Sequence, residues 1–154
     1  MSPSARPPQV GVSHIGCSVT DLDRSVTFYC DVLGAALIRP PYGGERTSFS
    51  GRMALVRLGT LSLDLYEHAA NAGERFDPSH TGLDHLALTA ASLKDLEAWA
   101  TWLDDHQIPH SEIRDGGGVG AMFDFVDPDG IQIEFFFLDE ERLRHSATYS
   151  TSGG

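Results

Sequence analysis

The stretch that decides the fold lies in the middle of the chain and reads Gly82-Leu83-Asp84-His85-Leu86-Ala87-Leu88-Thr89. A related stretch near the start of the chain reads Gly11-Val12-Ser13-His14-Ile15-Gly16-Cys17-Ser18-Val19. In both, a histidine follows a glycine by three residues and precedes alternating apolar positions, which is the pattern of a half-buried β-strand. A segment with helical spacing follows each stretch. The chain is therefore predicted to contain two copies of one unit.

A second pair of predicted strands repeats at almost the same distance along the chain. His85 follows His14 by 71 residues, and Glu134 follows Asp64 by 70 residues. Asp64 and Glu134 each lie inside an alternating strand, Leu-Ser-Leu-Asp-Leu and Ile-Gln-Ile-Glu-Phe respectively. The two offsets are independent of each other, so their agreement indicates duplication of a unit that carries one histidine and one carboxylate.

Each half is predicted to fold as β-α-β-β-β. The predicted fold class is α+β, with two tandem βαβββ modules that form a cupped mixed sheet with the helices outside. We expect one domain at 10–138, with modules at about 10–68 and 82–138, a linker at 69–81, a flexible N-terminal tail at 1–9 and a polar C-terminal tail at 139–154 that frays over its last five residues.

Helix caps and turns mark the ends of these elements. Thr20 or Asp21 is a suitable N-cap for the first helix, and Ser92 with Asp95 resembles the capping box of the second. Hairpin turns are predicted at Gly59-Thr60 and at Asp127-Pro128-Asp129-Gly130. The second helix is expected to bury an apolar stripe formed by Leu93, Leu96, Ala100 and Leu103, which Trp99 and Trp102 widen.

Two further segments are less regular. A short strand at 36–39 is expected to end at Pro40–Gly44, because proline and glycine interrupt regular structure. In the second half, a strand is predicted at 108–113, before the glycine-rich segment at 116–120.

Alternation places four polar side chains opposite the helix-packing residues: His14, Asp64, His85 and Glu134. If the two sheets form one cup, all four point into it. Two imidazoles and two carboxylates suit Zn, Fe(II), Ni, Co or Mn, and do not favour Ca or Mg. Each residue alone is as typical of an ordinary core or surface position. The repeated spacing is what favours a metal site.

Composition limits the classes of partner. The chain has 154 residues, of which 41% are hydrophobic and 21% charged, so it is long enough for one domain with a core. Its formal net charge of −11 disfavours nucleic acid and anionic membranes as partners. The sequence has no signal-peptide pattern, and Cys17 and Cys30 are expected to be reduced core residues. A cytoplasmic protein is predicted.

Other motifs contribute little. The sequence contains neither a Gly-x-Ser-x-Gly elbow nor a phosphate-binding loop. Four of the remaining histidines are expected to be exposed, since they lie in linker, helix-end or tail contexts: His80, His106, His110 and His145. His68 is expected to follow the end of its strand.

The sequence resembles the vicinal oxygen chelate superfamily, which includes glyoxalase I, extradiol dioxygenases, methylmalonyl-CoA epimerase, fosfomycin-resistance proteins and bleomycin-binding proteins. Fosfomycin-type thiol transfer is disfavoured, because Gly16 stands where that group has Thr two residues after the first ligand. The resemblance covers roughly residues 10–138. It is carried by the two histidine strands, the segment Ser25-Val26-Thr27-Phe28-Tyr29 that leads to Val32-Leu33-Gly34, and the turn Asp127-Pro128-Asp129-Gly130 that leads to Ile133-Glu134.

The resemblance implies one divalent transition metal per site, with His14, His85 and Glu134 as ligands. Asp64 is implied as fourth ligand or general base, and it is a departure because glyoxalases and epimerases more often have Glu or Gln there. Asp64 and Glu134 are the expected catalytic residues. Tyr66 and Phe136 share the inward-facing parity and are expected to line the substrate space.

The resemblance also implies a reaction class. We expect a metal-dependent lyase, isomerase or epimerase of glyoxalase-like type, which acts on a small oxygenated metabolite chelated through vicinal oxygens. One alternative is an Fe(II) extradiol-type dioxygenase, in which His14, His85 and Glu134 alone hold the iron. A second alternative is a non-enzymatic antibiotic-binding resistance protein. A homodimer is expected, as in many members of the superfamily.

Overall fold

The computed structural model describes residues 10–46 and 49–149. The chain divides into two compact units, Met1–Ala72 and Gly73–Gly154, which we call the N-terminal and C-terminal modules. Each module contains a four-stranded mixed sheet in which the first strand pairs in parallel with the fourth and the others pair antiparallel. The predicted α+β class with two βαβββ modules is confirmed.

The N-terminal module follows the predicted order of elements. It consists of β1 (Ile15–Ser18), α1 (Leu22–Thr27), a π-helical turn (Phe28–Val32), β2 (Ala36–Arg46), β3 (Phe49–Leu58) and β4 (Leu61–His68). The Asp21 carboxylate caps α1 by accepting the N–H of Arg24 at 3.0 Å. Gly34 follows the helical run with φ of 69°, a left-handed conformation that ends helices.

Alternation along β1 and β4 positions the candidate site of this module. Cys17, Leu63 and Leu65 are buried, with at most 7% exposure, on the side predicted to pack against the helix. Asp64 lies between the two leucines and points to the opposite face of the sheet. It pairs in register with Gly16 of β1.

The break predicted at Pro40–Gly44 is wrong. β2 continues through these residues to Arg46, and its pairing with β3 shifts register between Leu37 and Arg39 and again between Arg39 and Tyr42. β2 is an edge strand of its sheet. Prolines are tolerated at such an edge and at bulges, because the missing N–H need not remove a ladder hydrogen bond.

The C-terminal module repeats this order. It consists of β5 (Leu86–Thr89), α2 (Leu93–Asp105), β6 (Arg114–Asp115), β7 (Gly120–Val126), β8 (Gln132–Leu138) and α3 (Glu140–Tyr149). Ser92 is the N-cap of α2: its hydroxyl accepts the N–H of Asp95 at 3.1 Å and donates to the Asp95 carboxylate at 2.6 Å. The Asp95 carboxylate thus meets the Ser92 hydroxyl, whereas in a full capping box it would accept the Ser92 backbone N–H.

The apolar stripe of α2 is narrower than predicted. Leu96 and Leu103 are fully buried, and the Trp99 ring stacks on Phe135 with 4.5 Å between centroids. Leu93 and Trp102, which were expected to belong to the stripe, are 45% and 42% exposed. Leu93 lies before the first buried residue of α2, and Trp102 lies at the edge of the stripe beside buried Leu103.

The strand predicted at 108–113 is also wrong. Regular pairing is confined to Arg114–Asp115, and the preceding segment makes only an isolated bridge between His110 and Phe125. The Ser111 hydroxyl accepts the N–H of Asp124 at 3.0 Å, where a regular ladder would offer a backbone carbonyl. In this segment the Ser111 hydroxyl therefore takes the place of the backbone carbonyl that would pair with the Asp124 N–H.

The predicted turn between β7 and β8 is confirmed. The Asp127 carboxylate accepts the N–H groups of Asp129 at 2.9 Å and Ile131 at 2.8 Å, and Gly130 has φ of 87°. The second half of the linker lies against this turn, because the Phe76 N–H donates to the Asp129 carbonyl at 2.9 Å.

The segment predicted to be a polar tail contains the helix α3. The Asp139 carboxylate caps α3 by accepting the N–H groups of Glu141 and Arg142, each at 3.0 Å. The tail predicted at 1–9 and the frayed end at 150–154 lie outside the described residues. Within the described part of the chain, every helix is too short or too polar to cross a membrane.

A glycine stands opposite the last residue of the fourth strand in each module. Gly51 pairs with His68, and Gly120 pairs with Leu138. A Cβ atom at Gly51 would overlap the carbonyl oxygen of Glu67, and one at Gly120 would overlap the carbonyl oxygen of Phe137. The close backbone approach excludes any side chain at either position.

Candidate metal centre

In the N-terminal module, His14 and Asp64 lie side by side. His14 immediately precedes β1, and its Nε2 is 3.8 Å from Oδ2 of Asp64. The His14 side chain is 54% exposed, whereas that of Asp64 is 17% exposed. The same Asp64 oxygen accepts the Tyr66 hydroxyl at 3.2 Å. Asp64 is therefore held in place from its own strand while it faces the imidazole.

In the C-terminal module, His85 and Glu134 repeat this arrangement. His85 immediately precedes β5, as His14 precedes β1. Ala87, two residues after His85, pairs in parallel register with Glu134, just as Gly16, two residues after His14, pairs with Asp64. The duplicated spacing in the sequence thus corresponds to a duplicated geometry.

The two carboxylates differ in their surroundings. Glu134 is only 6% exposed, and none of the described residues donates a hydrogen bond to its carboxylate. Burial raises the pKa of Glu134 above its ordinary value, an effect that the nearby charges of His85 and Arg114 oppose. At the position equivalent to Tyr66 the C-terminal module has Phe136, which offers no hydroxyl.

Partial desolvation disfavours the charged form of this carboxylate, and a bound cation or a proton would compensate that cost. The Glu134 site therefore fits a divalent metal. His85 fits it as well, because its Nδ1 lies 2.6 Å from Oδ1 of Asp84, and a carboxylate on one imidazole nitrogen orients the other toward a metal.

The structure thus brings the predicted residues together in pairs. His14 lies with Asp64 and Tyr66, while His85 lies near Glu134. Across residues 10–46 and 49–149, no three His, Cys, Asp or Glu side chains cluster closely enough to hold a metal ion. Each module by itself supplies one imidazole and one carboxylate.

Sequence reasoning missed a polar network beside Glu134. Asp124 of β7 is the register partner of Glu134, and its carboxylate forms an ion pair with Arg114. Arg114 also donates to the Ser111 hydroxyl at 2.7 Å. The pairing of Asp124 with Glu134 can be found by counting residues outward from the Asp127–Gly130 turn. Ser111 and Arg114 could not be placed in this way, because a strand was wrongly predicted at 108–113.

His110 corrects another prediction. Its side chain was expected to be exposed but is only 13% exposed. Its Nδ1 lies 2.7 Å from the Ser111 carbonyl oxygen, and its Nε2 lies 3.2 Å from Oδ1 of Asp104. The isolated bridge between His110 and Phe125 holds His110 against the sheet. The His110 imidazole therefore packs against the ring of Phe123.

The comparison with known families agrees with this duplicated architecture. The sequence model of the Glyoxalase/Bleomycin resistance protein/Dioxygenase superfamily matches residues 11–135. The chain belongs to this superfamily. The predicted resemblance is thereby confirmed, and the paired histidines and carboxylates occupy corresponding places in the two modules of a superfamily fold.

Relatives within the superfamily include proteins of different kinds. The chain is 32% identical over 126 residues to the uncharacterized protein YaeR of Escherichia coli, covering 81% of this chain and 94% of that protein. It is 33% identical over 152 residues to a 2-epi-5-epi-valiolone epimerase of Actinomyces, covering 86% and 81%. A glyoxylase/bleomycin resistance protein/dioxygenase domain from Frankia has the same fold, with a TM-score of 0.74, 29% identity and coverage of 85% and 99%.

Proposed function

We propose that the protein is a divalent-metal-dependent enzyme of glyoxalase-like type, a lyase, isomerase or epimerase that acts on a small metabolite through two neighbouring oxygen atoms. The observation that carries this proposal is the repeated pair, His14 with Asp64 and His85 with Glu134, at the same strand register in both modules. The superfamily relation to a 2-epi-5-epi-valiolone epimerase supports an isomerase or epimerase reaction.

In this proposal His14, His85 and Glu134 ligate one transition metal, chosen among Zn, Fe, Ni, Co and Mn, and Asp64 is the fourth ligand or the general base. Nitrogen and oxygen donors in equal number suit these metals. The desolvation of Glu134, which raises its pKa, supports its assignment as a ligand, since a bound cation would compensate that cost. When bound, the metal would polarise the substrate oxygens and stabilise an enolate-like oxyanion.

The protein side chains would then hold the substrate and move its proton. Asp64 would take that proton: Tyr66 donates a hydrogen bond to one of its carboxylate oxygens, and the other oxygen accepts none from the described residues. Tyr66 and Phe136 are proposed to line the substrate space. Small metabolites remain the proposed partners, and the protein is proposed to be cytoplasmic. It is also proposed to be a homodimer, which light scattering of the purified protein would test.

Elemental analysis is the experiment that tests this proposal. We expect about one metal per chain in the wild type, and less than half of that in Glu134→Gln, because a lost ligand typically lowers metal affinity by tenfold or more. Glu67→Gln is the matched control, since Glu67 lies on β4 but faces away from Asp64 and pairs with Arg52. Wild-type protein that takes up no metal on reconstitution contradicts the proposal and favours the antibiotic-binding alternative.

An Fe(II) extradiol-type dioxygenase is the second candidate, and the Tyr66–Asp64 hydrogen bond favours it. A carboxylate oxygen that accepts a hydroxyl at 3.2 Å is partly occupied, so Asp64 can lie outside the ligand set. In that case iron would be retained in Asp64→Ala. Loss of Zn, Ni, Co or Mn from Asp64→Ala would instead support the four-ligand isomerase site.

A further inference from the structure

A groove of about 270 Å³ lies in the C-terminal module, where the segment from Pro109 to Ser111 meets β7 and the start of β8. It is lined by Pro109, His110, Ser111, Asp124, Phe125, Val126 and Gln132. Its volume is slightly below the roughly 300–1,000 Å³ of typical small-molecule sites, so it suits a part of a molecule rather than a large ligand.

Glu134 does not line the groove itself, but two of the lining residues are its neighbours in the sheet. Asp124 is the cross-strand partner of Glu134, and such partners have Cβ atoms about 5 Å apart. Gln132 lies two residues before Glu134 on β8 and therefore points to the same face, about 7 Å along the strand. A molecule of a few carbon atoms held at Glu134 can reach both side chains.

The cations around the groove are already engaged. The Arg114 guanidinium binds the Asp124 carboxylate and the Ser111 hydroxyl. Both nitrogens of His110 face oxygen atoms, from the Ser111 carbonyl at 2.7 Å and from the Asp104 carboxylate at 3.2 Å. The groove lining itself contains neither lysine nor arginine. An anionic group placed there would meet the Asp124 carboxylate, and the described lining offers it no cation of its own, because Arg114 is already paired with Asp124.

The polar atoms that remain available suit hydroxyl groups. Oδ2 of Asp124 accepts no hydrogen bond from the described residues, and the Gln132 amide makes no side-chain hydrogen bond with any of them. A carboxylate oxygen accepts from a hydroxyl, and an amide both donates to and accepts from one. The Val126 side chain supplies an apolar wall beside them.

We propose that this groove, formed by Asp124, Gln132 and Val126, binds the distal part of the substrate and selects an uncharged, hydroxyl-bearing molecule over its phosphorylated or carboxylated counterpart. The inference rests on the proposed function, because it takes Glu134 as the position of the reacting oxygens. Asp124 and Gln132 determine specificity, and Arg114 acts as a positioning residue that holds Asp124.

The test compares two probes that differ by one phosphate group, xylulose and xylulose 5-phosphate. Both carry neighbouring keto and hydroxyl oxygens. Their dissociation constants are measured by calorimetry on metal-loaded wild-type protein. We expect xylulose to bind at least about tenfold more tightly than its phosphate, the ratio that corresponds to about 1.4 kcal/mol. Equal binding, preference for the phosphate, or binding of neither probe overturns the proposal.

Asp124→Asn should reverse much of this preference. The substitution removes the carboxylate and releases the Arg114 guanidinium, so the ratio between the two probes should fall by about tenfold or more. The matched control is Asp115→Asn, which removes the same charge from β6 at a carboxylate that pairs with Arg142 and does not line the groove. An equal change in both variants would show a general charge effect and overturn the proposal.

Gln132→Leu gives a second measurement that leaves every charge in place. It should weaken xylulose binding by about fivefold, the loss of one or two hydrogen bonds, and leave binding of the phosphate unchanged. Unchanged xylulose affinity refutes the role of Gln132. Elemental analysis of the same samples separates the two levels: failure to bind metal refutes the proposed function, whereas full metal content without probe discrimination refutes only the groove.

Discussion

Replacing Ser25 with alanine should make the protein more stable. Ser25 lies in α1 with no exposed surface, and its hydroxyl has no hydrogen-bond partner among the described residues. A buried hydroxyl left unsatisfied costs about 1–3 kcal/mol relative to its hydrated unfolded state. Alanine removes that cost and gains about 0.5 kcal/mol of helix propensity, which the small void left by the oxygen offsets. The net expectation is about 1–2 kcal/mol, or a Tm about 3–6 °C higher.

Thermal unfolding followed by circular dichroism, with urea unfolding as a second method, measures this change. Ser146→Ala is the control, because Ser146 is an exposed serine of α3 whose hydroxyl donates to the Leu143 carbonyl at 2.8 Å. It should change the free energy of unfolding by less than about 0.5 kcal/mol. A Ser25→Ala variant that is less stable than the wild type would refute the reasoning, since the hydroxyl would then contribute a favourable interaction or the void would dominate.

Three other outcomes follow from the same structure. Tyr66→Phe removes the hydroxyl that holds Asp64 and should weaken metal binding about tenfold in a chelator competition, and an unchanged affinity would separate Asp64 from the metal. In metal-free protein the raised pKa of Glu134 makes the folded state more stable below the ordinary pKa of 4.5, and this contribution is lost as pH rises through the folded pKa. The Tm of Glu134→Gln should therefore exceed that of the wild type at pH 7 and equal it at pH 4. Burial, and secondarily the charge of Asp31, raises the pKa of the Cys30 thiol, so its alkylation by iodoacetamide should be slower at pH 8 than that of a free thiol and faster in Asp31→Asn.

Local chemistry explains why so much of the fold could be predicted from the sequence. Asp21 and Ser92 begin helices because their side chains accept the first free N–H groups, an interaction complete within four residues. The Asp127–Gly130 turn is equally self-contained. The side of the sheet on which Asp64 lies can be predicted from the alternation of apolar and polar residues along β4 alone.

The errors lie where distant parts of the chain decide the outcome. Pro40 and Pro41 are compatible with β2 only because that strand is at an edge, a property of the sheet order. The segment before β6 is irregular because Ser111 substitutes its hydroxyl for a backbone carbonyl of the neighbouring strand. The groove was missed for the same reason, since Pro109, His110 and Ser111 on one side of it belong to this irregular segment.

The two glycines opposite the strand ends have a consequence for mutational scanning. Gly51 and Gly120 take part in no chemistry, yet nearly every substitution there forces two backbones apart. A library scored only by enzyme turnover would rank both among the essential positions, beside the proposed ligands His85 and Glu134. Scoring protein abundance in the same library would separate the classes, because glycine variants should be depleted from the soluble fraction while ligand variants accumulate.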